Sequence, residues 1–276
     1  MILASYIAQI LSGQSTRHSS KSHFITIMLS VAKVSTLLSF ASAVLGHGYV
    51  SGIVANGKYT SGWQVGYWYD VVNKVPYPQT PGWYEEALDI GFIPPDQYQT
   101  SNIVCHKNAV NANVSATVPA GGTVQFQWTT WPHGIGPVIT YVANCGGNCS
   151  THTKVNKNTL KFVKIDQVGI NFNTQVWAAA DLIANNNSWT TTVPKTLAPG
   201  HYVFRHEIIA LHGATTLNGA QNYPFCLNID VTGSGTANPT GTLATNLYKS
   251  TDPGIYFNPY VTLKNYTIPG PALWTG

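Results

Sequence analysis

Thr123-Val124-Gln125-Phe126-Gln127-Trp128 alternates polar and apolar residues, and this period of two decides the fold class. Val124, Phe126 and Trp128 fall on one face of the expected strand. The turn signal Pro119-Ala120-Gly121-Gly122 precedes it. Further strands are expected at 137–142, 160–165 and 226–231, and at 202–210, which follows the turn Ala198-Pro199-Gly200. In 160–165, Leu160, Phe162 and Val163 supply the apolar positions beside Lys161 and Lys164. Short strands with turns at this spacing predict an all-β chain, an antiparallel sandwich of the immunoglobulin or fibronectin kind with long surface loops. Residues 62–104 are rich in Tyr, Trp and Pro and have little periodicity, so they read as a functional surface loop. Residues 232–276 carry no strong pattern and are expected to wrap the sandwich, with no linker or second domain after it.

Only 9% of the 276 residues are charged, against about a quarter in an average chain. The eight Trp and 15 Tyr are high. Such a chain suits an uncharged, hydroxyl-rich partner such as a polysaccharide. The net charge of +4 overstates the basicity of the folded part. Arg17, Lys21 and Lys33 are three of the 14 basic residues and precede residue 47, whereas none of the 10 acidic residues does, leaving 11 against 10. That near-neutrality argues against a nucleic-acid partner.

Residues 1–46 read as a targeting segment rather than as fold. From Met28 the pattern is that of a secretory signal: Lys33, an apolar core through Thr36-Leu37-Leu38-Ser39-Phe40-Ala41, then small residues before His47. Residues 1–27 fit that pattern poorly, and the translation start is expected at Met28. A membrane anchor would need about 20 uninterrupted apolar residues, and no run here reaches that length. Cleavage between Gly46 and His47 would leave histidine as the first residue of a secreted chain. A terminal histidine offers its α-amine and ring Nδ1 to one metal, closing a six-membered chelate. With a second histidine this makes three nitrogens in a T, which suits Cu(II). The amine, with an unperturbed pKa of about 8, loses its proton easily near neutral pH.

Cys105, Cys145, Cys149 and Cys226 all lie downstream of that cut. An even count in a secreted chain implies two disulfides, with three pairings possible. Cys145-Gly146-Gly147-Asn148-Cys149 reads as a tight local loop and Cys105–Cys226 as a long-range staple; a zinc site would want closely spaced pairs on both sides. Glycosylation sequons occur at Asn113, Asn148, Asn186 and Asn265.

Four stretches carry candidate chemistry. Trp131-Pro132-His133-Gly134-Ile135-Gly136-Pro137-Val138 sets a histidine in a glycine-rich loop between strands. Arg205-His206-Glu207-Ile208-Ile209-Ala210-Leu211-His212 has histidines six apart in a strand-like run, so it is not the helical i, i+4 pair of a zincin. Gly219-Ala220-Gln221-Asn222-Tyr223 puts a phenol three residues before Cys226, and Asp252-Pro253-Gly254-Ile255 follows. With His47-Gly48-Tyr49-Val50 ahead of them, this ordered set resembles the fungal family-nine lytic polysaccharide monooxygenases, once classed as glycoside hydrolase family sixty-one. The resemblance covers essentially all of 47–276.

The resemblance implies a copper brace, one copper per chain. His47 corresponds to the terminal ligand, through its amine and Nδ1, and His133 to the second histidine, through Nε2. Tyr223 matches the axial tyrosine. His212 and Gln221 match the pair that hydrogen-bonds the reacting oxygen species, so His212, Gln221 and Tyr223 form the catalytic set. One departure is the loop after His133, which reads His-Gly-Ile-Gly-Pro where the family usually has His-x-Gly-Pro. His106, His152, His201 and His206 are expected not to be ligands. Tyr260 matches a surface tyrosine that stacks on sugar, and Tyr67 and Tyr69 are candidates to extend that face. The implied reaction is oxidative cleavage of cellulose or a related β-1,4-glucan at C1 or C4, using O2 or H2O2 and an external electron donor. The implied protein is a secreted monomer with no nucleic-acid or membrane partner. A non-catalytic copper- or carbohydrate-binding protein is a second reading, and an endoglucanase with paired carboxylates a third.

The cleavage expectation has a direct check. Terminal sequencing or intact mass of the secreted protein should give His47 as the first residue; even one extra residue would remove the brace.

Overall fold

The computed structural model describes residues 47–150 and 155–276. The targeting segment, the Met28 start and His152 lie outside the described residues. Two sheets face each other. One runs β2 (Lys58–Ser61), β1 (Val50–Ala55), β4 (Thr123–Trp128) and β9 (Ser188–Thr192). The other runs β12 (Thr242–Leu243), β6 (Lys161–Val168), β5 (Val138–Asn144), β10 (Gly200–Ala210), β11 (Gln221–Thr232) and β3 (Ala116–Pro119). A small hairpin pairs β7 (Ile170–Asn171) with β8 (Val176–Trp177). The expected sandwich is present, and every sheet pairing is antiparallel except β11 with β3, which is parallel.

Val124, Phe126 and Trp128 are buried between the sheets, as their alternation requires. The six-stranded sheet is covered on both sides. Even-numbered residues of β10, such as Phe204 and Ile208, face the opposite sheet, while Val203 and Ile209 belong to a second core outside it. That second core uses Trp83, Ile93, Tyr98 and Ile103 from 62–104, and Leu247, Tyr248 and Ile255 from the C-terminal segment. Residues 62–104 are therefore only in part a surface loop. They include the short helices α1 (Tyr67–Val72) and α2 (Asn102–Cys105), and they pair with β11 through Gly82–Leu227 and Ile93–Asn222 bridges.

Lys164, read as a polar position, is only 1% exposed. It shares the outer-core face with Phe162 and lies opposite Tyr141, where the C-terminal segment covers it; the β5–β6 register shift, from Thr140–Asp166 to Tyr141–Lys164, passes over Ile165 instead. The Lys164 ammonium donates to Gln167 Oε1 and to the Pro269 carbonyl, each at 2.8 Å. The four cysteines form Cys105–Cys226 and Cys145–Cys149 disulfides. Among the described residues no helix is long and apolar enough to cross a membrane.

Beneath the end of β11, Arg205 and Glu207 form a fully buried ion pair at 2.7 Å. Arg205 also donates to the Ile103 and Val104 carbonyls of α2, and the carboxylate accepts from Asn222 Nδ2 and from Tyr248 Oη. The pair is thus saturated with partners, as a buried charge must be.

Glu85 has no such cation beside it. It is buried, its carboxylate accepts the Ala87 N–H, and burial pushes its pKa up to about 7. The fold favours the neutral acid, so this stability is complete below the ordinary value near 4.5 and is lost as pH rises to about 7. Glu85→Gln, which keeps an acceptor for Ala87, should gain on the parent by up to about 3 kcal/mol at pH 8 and little at pH 4.5. Scanning calorimetry would read this as a Tm gap of several degrees that opens with pH; a gap independent of pH would show that Glu85 does not carry the effect.

Candidate metal centre

Period-two geometry builds the first part of the site. In β11, Gln221, Tyr223 and Phe225 share the inward face, while Asn222 points to the second core and holds Glu207. Tyr223 sits opposite Ile208 and Gln221 opposite Ala210, the last residue of β10. Two residues further on is His212.

The His133 loop is welded to the same strand end. Leu211 N donates to the Ile135 carbonyl at 2.9 Å, and Ile209 N to the Pro137 carbonyl at 3.2 Å. Gly136, at φ 149°, passes so close to β10 that a Cβ there would overlap the Ile209 carbonyl. The longer loop therefore leaves His133 at the site. Its ring stacks on that of His212, centroids 4.1 Å apart and planes 20° apart.

His47 arrives from the other sheet. Tyr49 N donates to Thr129 Oγ1 at 3.1 Å and Thr129 N returns to the Tyr49 carbonyl at 3.0 Å. Between them, Gly48 presses against Thr129 and Trp131: a Cβ there would lie 2.9 Å from Thr129 Oγ1. This close approach brings the His47 ring to 5.8 Å from His133 and 5.8 Å from Tyr223, centroid to centroid. Two rings that far apart can share one ion bound at roughly 2.0–2.1 Å from each nitrogen, the length of a zinc–imidazole bond.

Trp131 and Phe92 enclose these groups, and neither was singled out from sequence. Trp131 donates its indole N–H to the His133 carbonyl at 2.8 Å and lies edge-on to both Tyr223 and His133. Phe92 packs against His47 at 6.0 Å and Tyr223 at 6.1 Å. The sequence signal for Trp131 was its place two residues before His133; nothing local marks Phe92. Tyr223 is buried and donates its hydroxyl to Gln221 Oε1 at 2.8 Å, leaving the amide NH2 as Gln221's outward donor. Burial pushes the Tyr223 phenol pKa up, so it stays protonated. Burial, and then the neighbouring His47, push His212 down towards its neutral form.

The other histidines are used elsewhere. His106 is buried and stacked on Phe225; it accepts from Lys107 N and faces the Gly91 carbonyl. His206 stacks on Phe126 at 3.9 Å and meets Thr140 Oγ1 in the inter-sheet core. His201 pairs with Asp230 at the opposite end of β10. Of the aromatic candidates, Tyr260 is 62% exposed and its hydroxyl reaches the His212 carbonyl at 2.7 Å. Tyr67 and Tyr69 lie on α1: Tyr67 packs with Trp63 and Tyr77, while Tyr69 is exposed beside Trp68. Among the described residues no group of three or more His, Cys, Asp or Glu gathers to hold a metal. Among these residues no carboxylate or thiol joins His47, His133 and Tyr223, and the other candidate side chains beside them are His212 and Gln221.

The model of auxiliary activity family 9, formerly glycoside hydrolase family 61, matches residues 47–267. The chain belongs to this family. It is an oxidoreductase of the lytic polysaccharide monooxygenase class. The chain is 80% identical over 240 residues to AA9 family lytic polysaccharide monooxygenase D of Botryotinia fuckeliana, covering 87% of this chain and 96% of that one. It is 56% identical to the AA9 enzyme cel61B of Hypocrea jecorina, over 90% of this chain and all of that one. The structure of Cel61B from Hypocrea jecorina superposes with a TM-score of 0.80 at 57% identity, covering 83% of this chain and 100% of that one. The catalytic domain of H. jecorina LPMO9A gives 0.76 at 47%, covering 83% and 93%. In the AA9 frame, the first residue matched is His47.

Proposed function

We propose that this AA9 chain is a secreted, monomeric, copper-dependent enzyme that cleaves β-1,4-glucan, cellulose above all, by hydroxylation at C1 or C4. The observation that carries the reading is the meeting of His47, His133 and Tyr223 at one end of the sandwich, with His212 stacked on His133. This donor set fits copper: two imidazoles and a phenol, with no carboxylate or thiol among them. His47, freed as the terminus, adds its amine. The family match that begins at His47 supports that boundary.

The holding residues would be His47, through amine and ring, His133, and the neutral phenol of Tyr223. Bound copper supplies one-electron chemistry towards O2 or H2O2 once an external donor has reduced it. The chain's own residues do the rest. Tyr223 stays protonated and donates a hydrogen bond to Gln221 Oε1, which fixes the amide so that its NH2 faces the site. His212, held near neutrality, offers its imidazole beside His133. Trp131 and Phe92 wall the inner side and exclude water. Tyr260 presents its ring outward to the apolar face of a sugar; Tyr69, exposed, is the better placed of the two α1 tyrosines to add to it. Sequons Asn113, Asn186 and Asn265 are exposed, whereas Asn148 Oδ1 accepts from Ser150 inside the disulfide loop. The endoglucanase reading loses support from the adjacent acids: Glu85 is buried, and Glu86 is bonded to Tyr84 and Asn108.

Two measurements test this. In calorimetric titration with Cu(II), the protein should take up one ion, His133→Ala should lose affinity by orders of magnitude, and His206→Ala should not. Parental affinity in His133→Ala would assign the ligand elsewhere. Copper-loaded protein on amorphous cellulose should release oxidised cello-oligosaccharides, by mass spectrometry, only when ascorbate is present. Unoxidised products would indicate a hydrolase, and no products despite bound copper a binding protein.

A further inference from the structure

We infer that the hydroxyl of Tyr260 is a positioning group for His212, so that one side chain serves both the outer face and the interior of the site. The inference rests on the proposed function for the role of His212, and on geometry for the rest. Tyr260 is among the most exposed aromatic residues of the described chain, yet its Oη donates to the His212 carbonyl, 48 residues away in sequence, at 2.7 Å. A solvent-facing tyrosine needs no protein partner, because water is available. This one is aimed.

The segment that carries it is fastened on both sides. Phe257 N donates to the Ala214 carbonyl at 3.0 Å, just beyond His212. Asn258 Oδ1 caps Tyr260 N at 2.9 Å. Leu263 is held by the Gln175 amide in both directions, its N–H giving to Oε1 at 2.9 Å and its carbonyl accepting from Nε2 at 3.0 Å. Tyr260 is therefore a firm post rather than a loose flap.

His212 needs such a post. Its Nδ1 is buried with no hydrogen-bond partner. The ring is held by stacking on His133, and its aim is otherwise set by the main chain. Leu211 N is anchored to the Ile135 carbonyl on the side towards β10, and the Tyr260 hydroxyl anchors the peptide on the other. Loss of that hydroxyl leaves the 212–213 peptide held only by the turn that Ala214 N closes on the Leu211 carbonyl at 3.0 Å, so the peptide, and with it the imidazole, can tilt against His133.

Tyr260→Phe isolates the effect, because it keeps the ring and removes only the oxygen. Adsorption to cellulose and Cu(II) affinity should stay within about twofold of the parent. In the copper-free protein, the His212 imidazole resonances should shift in nitrogen–proton correlation spectra, as they should not for a change at the surface alone. The rate of oxidised-product formation at saturating cellulose should fall on the order of fivefold, the worth of one net hydrogen bond. Added to His212→Ala, Tyr260→Phe should lower the rate no further, since both act through one group. Parental imidazole shifts and rate in Tyr260→Phe, or full additivity in the double variant, would overturn the inference. A parental rate in His212→Ala, or no oxidised product from the parent, would instead defeat the functional reading on which it stands.

Discussion

The antiparallel register of β10 with β11 is the constraint on which the rest depends. It runs unbroken from Gly200–Val231 to Ala210–Gln221. Because side chains alternate, this single register decides which residues face the opposite sheet and which face the outer core. A slip by one residue would send Tyr223 outward, bring Asn222 under the histidines, and part Asn222 from Glu207. What opposes such a slip is the Asn222–Glu207 hydrogen bond, the one side-chain bond from β11 to this carboxylate; Arg205, on the same strand as Glu207, would move with it.

The site is a junction of pieces far apart in sequence. His47 comes from just ahead of β1 in the four-stranded sheet, His133 from the loop between β4 and β5, Tyr223 and Gln221 from β11, and His212 from just past β10. Two close approaches make the junction possible, at Gly48 and Gly136, where a larger residue would collide with Thr129 and Ile209. The outer core serves the junction indirectly. Tyr98 donates to Asn222 Oδ1 at 2.6 Å, and the Ile93–Asn222 bridge brings Phe92 beside the histidines.

Much of this was legible in the sequence where one local rule governed. The alternation in Thr123–Trp128 identified β4 because its faces meet core and solvent without interruption. Longer strands blurred: β10 is buried on both sides, so its run from Tyr202 to Ala210 has burial but no polar face to reveal a period. The burial of Lys164 was not legible, because the cover over its face comes from the C-terminal segment at Pro269, about a hundred residues away. The parallel β11–β3 edge was likewise unreadable, since strand direction is set by chain path. The site histidines stood out through motif order, whereas Phe92 becomes part of the site only through a bridge to a strand about 130 residues away. Residues 62–104 hid most, because aromatic side chains that seal a sheet look much like those that meet a ligand.

Both disulfides are closed, no cysteine is free, and the two methionines of the chain, Met1 and Met28, precede His47. Residues 47–276 thus lack the two side chains at the foot of the sulfur oxidation ladder, a reduced thiol and a thioether. That stretch has no sacrificial sulfur to absorb stray oxidant. Its ageing in use should be centred on the rings around His47, His133 and Tyr223, so that a worn molecule goes dark at its working end while the sandwich beneath remains folded.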